Sequence, residues 1–208
     1  MTGPTLLPYG QSAVLVELAA ARDVLPLRDA LIAQRHPAVL AVVPAARTVL
    51  VEFDAGIAPV TELHTLIRHC ASAPAGSAAP RSEPAVEVAV RYDGADLESV
   101  ARECGMGVEE VIRRHCAADY TVQFCGFAPG FGYLSGLDPA LRLPRLASPR
   151  AAVPAGSVAI AGEFTGVYPR SSPGGWRLLG RTDAVLFDLD RRPPALLRPG
   201  LAVRLTRT

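Results

Sequence analysis

Gly126-Phe-Ala-Pro-Gly-Phe-Gly-Tyr-Leu-Ser-Gly-Leu137, Pro149-Arg-Ala-Ala-Val-Pro-Ala-Gly-Ser-Val-Ala-Ile-Ala-Gly162 and Thr165-Gly-Val-Tyr-Pro-Arg-Ser-Ser-Pro-Gly-Gly-Trp-Arg-Leu-Leu-Gly-Arg-Thr182 fill most of the stretch from Phe124 to Thr182. The helical period that runs upstream is lost after Tyr120. Glycine supplies positive φ or close backbone approach, and proline fixes φ and removes a donor, so these stretches read as tight corners bracketed by aromatic residues. Between the corners lie short apolar runs: Thr121 to Phe127, Val158 to Gly162, Trp176 to Gly180, Ala184 to Asp188 and Ala202 to Leu205. Short strands separated by frequent turn signals predict a closed or nearly closed β-barrel.

Working outward from the barrel, Val86 to Tyr92 reads as a further strand. Asp96 to Cys104 and Val108 to Cys116 read as two helices, broken at Gly105 and Gly107. Residues 72–84 are small, proline-rich and aperiodic, which marks a linker or long loop. The piece before it alternates element types. Ala13 to Leu18 reads as a strand, and Asp23 to Arg35 as a helix with Leu27, Leu31 and Ile32 on one face. Val39 to Val43 and Thr48 to Phe53 read as a hairpin-like strand pair, and Thr61 to Cys70 as a second helix. The order β-α-β-β-α is a split βαβ pattern, close to ferredoxin-like. The expected class is α+β, with a ferredoxin-like domain over residues 1–80 and a β-barrel domain over 81–208.

Composition narrows the chemistry. The chain has 208 residues, half of them apolar, and a net charge of +1, so no global basic field draws it to nucleic acid or a membrane surface. No apolar run approaches the ~20 residues that span a bilayer, and Met1 to Leu7 lacks the pattern of a signal peptide. A cytoplasmic location is expected. All 21 basic residues are arginine. Without lysine there is no Schiff base, no P-loop lysine and no biotinyl-lysine, so ATP or biotin chemistry must come through another chain. Cys70, Cys104, Cys116 and Cys125 form no CxxC motif and read as small buried hydrophobes; no metal site is expected.

The candidate residues cluster in the motif segments. Six arginines stand between Arg142 and Arg181 against one acid, Glu163. Such a run is usually a solvated face; the alternatives are a site for an anionic ligand, since arginine recognises carboxylates bidentately, or a contact for an acidic partner surface. Arg150, Arg170 and Arg181 lie within the motifs and are the favoured ligand arginines, with Glu163 as an arginine partner. Ser171-Ser-Pro-Gly-Gly175 reads as turn chemistry or as an anion nest of converging N–H groups, using Ser171, Ser172, Gly174 and Gly175. Phe127, Pro129, Gly130 and Phe131 are expected to shape a pocket wall, and Trp176 to pack in the core or at an interface. His115 ends a helix, where a positive imidazolium favours the C-terminus; a general base is the alternative. His36, His64 and His69 read as surface or capping groups. The candidate catalytic set is His115, Arg150 and Arg181.

The three segments resemble the signature of the family that contains the B subunit of 5-oxoprolinase, the sporulation-kinase inhibitor KipI and the first subunit of allophanate hydrolase, and are similar to part of the carboxyltransferase region of urea carboxylase. That signature runs GFxPGFPYLGGL, then PRxxVPAGSVxIAG, then QTGIYPxxSPGGWxLIGRT. This chain departs from it at Phe164, where the family has Gln, and at Gly132, where it has Pro. A weaker likeness extends over the whole chain, including Tyr9-Gly10. The resemblance implies a ferredoxin-like domain and a cyclophilin-like β-barrel, assembly with a homologous C subunit and an ATP-using A subunit, and action on a small amide or lactam. ATP-driven opening of 5-oxoproline to glutamate is the leading implied activity. Histidine-kinase inhibition, and a half-share in a biotin-dependent urea or amide carboxyltransferase, are the alternatives.

Overall fold

The structure, a computed structural model, describes residues 3–72 and 83–208. The chain forms two compact units, Met1–Ser82 and Glu83–Thr208. Most of the expected linker lies outside the described residues.

The first unit contains β1 (Thr5–Pro8), β2 (Ala13–Glu17), α1 (Val24–Ala33), β3 (Val39–Pro44), β4 (Thr48–Phe53) and α2 (Val60–Ser72). Its antiparallel sheet has the order β1-β2-β4-β3. Strand alternation turns Val14 and Val16 of β2, and Val49, Val51 and Phe53 of β4, to one face. There they pack with Leu27 and Leu31 of α1 and with Leu63, Ile67 and Cys70 of α2. The spacing of that last trio, four residues and then three, is the apolar stripe of an amphipathic helix. Strand β1 is absent from the sequence reading. It is short and ends in Pro8, a residue tolerated in a sheet at an edge, and it pairs along β2 with Thr5 opposite Glu17.

The second unit contains β5 (Val86–Val90), α3 (Leu97–Glu103), α4 (Val108–Ala117), β6 (Tyr120–Cys125), β7 (Gly132–Ser135), β8 (Arg150–Val153), β9 (Ser157–Ala161), β10 (Phe164–Val167), β11 (Ser172–Gly174), β12 (Arg177–Arg181) and β13 (Ala202–Arg207). Seven strands form one sheet in the order β12-β9-β10-β7-β6-β13-β5. The sheet curls until its two edges meet. Arg91, just past β5, pairs with Arg181 at the end of β12 through N–H···O bonds of 2.8 and 2.9 Å. Gly94 and Asp96 continue the seam to the carbonyls of Leu179 and Leu178 at 3.1 and 3.0 Å. The result is a nearly closed barrel. Two glycines let the edges approach: a Cβ on Gly180 would stand 2.2 Å from the Arg91 carbonyl oxygen, and one on Gly94 would stand 2.3 Å from that of Leu178. Val88, Val122, Leu134, Ile160, Leu179 and Val203 fill the interior.

The structure departs from the sequence reading at three places. Ala184 to Asp188 is not a strand; that segment contributes only an isolated bridge between Phe187 and Ala195, and Val185 remains exposed. Ser172 to Gly174 is not a nest. It is extended and pairs with β8 as a two-stranded ribbon, and extended backbone points successive N–H groups to opposite sides rather than to one point. Phe164 to Val167 and Gly132 to Ser135 are strands that glycine and aromatic content disguised as corners.

Candidate functional site

The three motif segments converge. Phe131 and Tyr133 from the first, Val153, Ala159 and Ala161 from the second, and Tyr168, Trp176 and Leu178 from the third share one apolar cluster, with Ala128 and Phe164 packed against it. Phe131 is the hub: its ring meets Tyr168 and Trp176 edge-on at 5.4 Å each and Tyr133 at 5.0 Å. Such edge-to-face contacts contribute about 0.5–1.5 kcal/mol each beyond area burial. Gly166 sits beneath the hub, where an added Cβ would lie 3.1 Å from Phe131 and from Trp176. Phe164, which replaces the family's Gln, packs edge-on against Phe124 and Tyr133, so the departure extends the aromatic wall. Gly132 is buried; a side chain there would press on Leu197.

Phe127 stands at the open margin of this wall, 59% exposed. Its φ is +66°, a region a bulky residue seldom occupies. The Ala128 N–H donates to the Gly126 carbonyl at 2.7 Å, which makes Phe127 the centre of a γ-turn of the strained, positive-φ kind. Strain of this sort costs on the order of 1–3 kcal/mol and collects at functional sites. The turn holds the Phe127 ring edge-on to Phe131 at 5.4 Å and to Tyr168 at 6.2 Å. Pro129 is exposed, while Gly130 is buried with φ +84° against Leu186 and Phe187.

The ribbon of β8 and β11 borders the same wall. Gly174 lies so near Tyr168 that a Cβ would stand 2.3 Å from the phenol oxygen, and the Gly175 carbonyl accepts from Leu146 N–H at 2.8 Å. Ser171 is exposed. The Ser172 hydroxyl is buried and has no hydrogen-bond partner among the described residues. Arg150 donates to Asp96 at 2.7 Å and to the Trp176 carbonyl at 3.4 Å. Asp96 is itself buried and accepts from Leu178 N–H at 2.7 Å. Arg150 is therefore built into the barrel seam through Asp96. Arg181 pairs with Asp93 at 2.8 Å, both side chains being well exposed. It lines a separate hollow of about 330 Å³ with Glu87, Arg91, Thr182 and Asp183. Glu163 is exposed and pairs with no arginine among the described residues, so its expected partner role is not seen.

His115 lies inside the larger unit rather than at the wall. It sits in the last turn of α4 with 0% exposure. Its Nδ1 is 2.7 Å from the Tyr92 hydroxyl and its Nε2 is 2.9 Å from Thr165 Oγ1. The Thr165 hydroxyl donates to the Ala159 carbonyl at 3.0 Å, so it must accept from His115. That fixes Nε2 as the protonated nitrogen and leaves Nδ1 to accept from Tyr92. The Tyr92 oxygen in turn accepts from Cys116 Sγ at 3.2 Å. Burial holds the imidazole pKa down to about 3 and pushes the Tyr92 phenol well above its ordinary value. The expected imidazolium at the helix end is thus corrected: desolvation outweighs the helix dipole and keeps the ring neutral. With both nitrogens engaged and no exposed atom, His115 is not presented to a ligand in this structure. Among the described residues no group of histidine, cysteine or acidic side chains is arranged to hold a metal ion, and the four cysteines form no disulfide.

Sequence reasoning passed over Tyr168, Tyr133 and Arg145. Arg145 belongs to the arginine run, but it falls between motifs. Its neighbours alone place it beside the site, since the Pro144 carbonyl accepts from Arg177 Nε at 2.9 Å and Leu146 is bound to Gly175.

A two-unit α+β chain whose larger unit is a nearly closed barrel with an aromatic wall defines the class. Residues 4–197 match the family described as carboxyltransferase domain, subdomain C and D, and the chain belongs to that family. It is 51% identical over 122 residues to the B subunit of 5-oxoprolinase from Escherichia coli O157:H7, a stretch covering 57% of this chain and 56% of that protein. It is 49% identical over 125 residues to the subunit of the same name from Bacillus subtilis, covering 59% of this chain and 52% of the relative. The matched stretch thus spans about half the length of these curated relatives. Among solved structures it is similar to TTHA0988, with a TM-score of 0.78 and 38% identity over 94% of this chain and 40% of the other. PH0987 from Pyrococcus horikoshii gives a TM-score of 0.59 and 33% identity over 98% and 97% of the two chains. Urea carboxylase of Kluyveromyces lactis shares the fold, with a TM-score of 0.69 at 19% identity over 99% of this chain and 22% of the other.

Proposed function

We propose that this chain is the B subunit of an ATP-dependent 5-oxoprolinase, acting with partner subunits to open 5-oxo-L-proline to L-glutamate. The observation that carries this reading is identity near 50%, over 122 and 125 residues, to two proteins that bear that subunit's name. The geometry agrees with it. A small, flat lactam acid needs an apolar surface for its ring and a cation for its carboxylate; Phe127 offers an exposed ring backed by the buried Phe131 and Tyr168, and the charges of Arg145 and Arg150 reach Tyr168.

In this reading Phe127, Pro129 and Gly130 form the open margin of the site, and Ser171, Ser172, Gly174 and Gly175 form its opposite border. Arg150 braces the barrel seam behind the site through Asp96, and Arg181, paired with Asp93, borders the separate hollow. His115 acts from within, through Thr165. ATP is bound by an ATP-using A subunit, and a homologous C subunit completes the assembly; this chain, which has no lysine, carries neither biotin nor a P-loop. We read the first unit as ferredoxin-like, with the edge strand beside β2 supplied by β1 from the N-terminal side, and the second as a cyclophilin-like barrel. The protein works in the cytoplasm; among the described residues no helix is long and apolar enough to cross a membrane.

The test is reconstitution. The chain is co-expressed with the A and C subunits, and glutamate release from 5-oxo-L-proline is measured with and without each component. Glutamate release that requires this chain supports the assignment. Equal release when it is omitted, or none from the complete set, sinks it.

A further inference from the structure

Three of the six arginines between positions 142 and 181 are engaged by carboxylates of the same unit: Arg150 by Asp96, Arg177 by Glu103 and Arg181 by Asp93. Arg142, Arg145 and Arg170 are exposed and have no carboxylate partner among the described residues. Arg145 differs from the other two in how its backbone is held. Pro144 before it accepts from Arg177 Nε at 2.9 Å, and Leu146 after it donates to the Gly175 carbonyl at 2.8 Å. Both anchors belong to the third motif segment. Gly175 follows Gly174, whose missing Cβ leaves room for the Tyr168 hydroxyl. Arg145 is thus held beside the third motif segment, and its charge, with that of Arg150, reaches the buried Tyr168 phenol. An exposed guanidinium with no carboxylate partner among the described residues, on a backbone fixed at both flanking residues, is suited to receive a carboxylate.

We propose that Arg145 is the residue that holds the carboxylate of the substrate, with the ring of a small cyclic amide acid lying against the exposed ring of Phe127. This rests on the proposed 5-oxoprolinase reading and adds the specificity-determining contact to it. Arg150 and Arg181, two of the three arginines favoured by the motifs, are engaged by Asp96 and Asp93 instead.

The experiment uses the full chain assembled with the A and C subunits. KM and kcat for 5-oxo-L-proline are measured for wild type, R145A, R145K and R142A, with urea midpoints to confirm folding. Loss of a charge-assisted, bidentate contact predicts a rise in KM of about 10- to 100-fold for R145A with a smaller change in kcat. R145K should recover part of the loss, because it restores the charge but not the fork. R142A should stay near wild type. R145Q, which keeps the aliphatic stem, replaces R145A should the alanine variant not fold. An active wild-type complex in which R145A leaves KM unchanged overturns this assignment alone, as does an equal rise for R142A, which would reflect only a general positive field. A wild-type complex that releases no glutamate overturns the parent reading and this inference with it.

Discussion

Lowering the pH should destabilise the larger unit through His115, and the size of the effect follows from its burial. The imidazole is fully buried, and burial holds its pKa at about 3, against roughly 6.5 in an unfolded chain. Below 6.5 the unfolded state takes up a proton that the native state refuses. Stability from this group is therefore complete above pH 6.5 and is lost as pH falls towards 3. The whole gap is worth on the order of 4–5 kcal/mol at about 1.4 kcal/mol per pH unit. Between pH 7 and pH 5 the loss from His115 alone should be about 2 kcal/mol. Trp176 is the chain's only tryptophan and lies in this unit, so its fluorescence reports the relevant transition in urea. The comparison is with His115→Gln, whose amide oxygen and N–H₂ can serve Tyr92 and Thr165 without titrating. The variant should be less stable at pH 7 and lose about 2 kcal/mol less on going to pH 5. The other three histidines lie in the first unit and are common to both proteins, so they cancel in the difference. Parallel pH profiles for the two proteins would refute the reasoning, because they would mean that the native ring ionises as readily as the unfolded one.

Arg150→Ala should reduce stability by about 2 kcal/mol, since it leaves the buried carboxylate of Asp96 without its charge partner; adding Asp96→Asn should recover part of that in a double-mutant cycle by urea denaturation. Gly180→Ala should cost about 2–3 kcal/mol by forcing a Cβ against the Arg91 carbonyl, and hydrogen exchange should show the Arg91 and Arg181 amides losing protection. Gly107→Ala, where nothing lies within 4 Å, is the control and should be close to neutral.

Much of the architecture could be read from short windows. Val14, Val16, Val49 and Val51 all face the core at every second position, as the period of their β-branched runs predicts, and Leu63 and Ile67 keep to one helix face. The motif corners were recognisable as corners because Gly126, Gly130 and Pro129 restrict or widen φ at single positions. Where glycine stood inside a strand, as at Gly132 and Gly166, the same signal misled. Strand β1 was missed because four residues ending in proline carry too little pattern to stand out.

The sequence by itself determined the element types, the α+β class, the barrel and the aromatic content of its corners, because backbone preference and hydrophobic period are properties of neighbouring residues. Only the tertiary structure decided which arginines are committed and which is open, that His115 is a neutral core group, and that Arg91 closes the barrel against Arg181. Charge state and pairing depend on desolvation and on partners far away in the chain. Asp96 reaches Arg150, and Thr165 reaches His115, only after the barrel has folded.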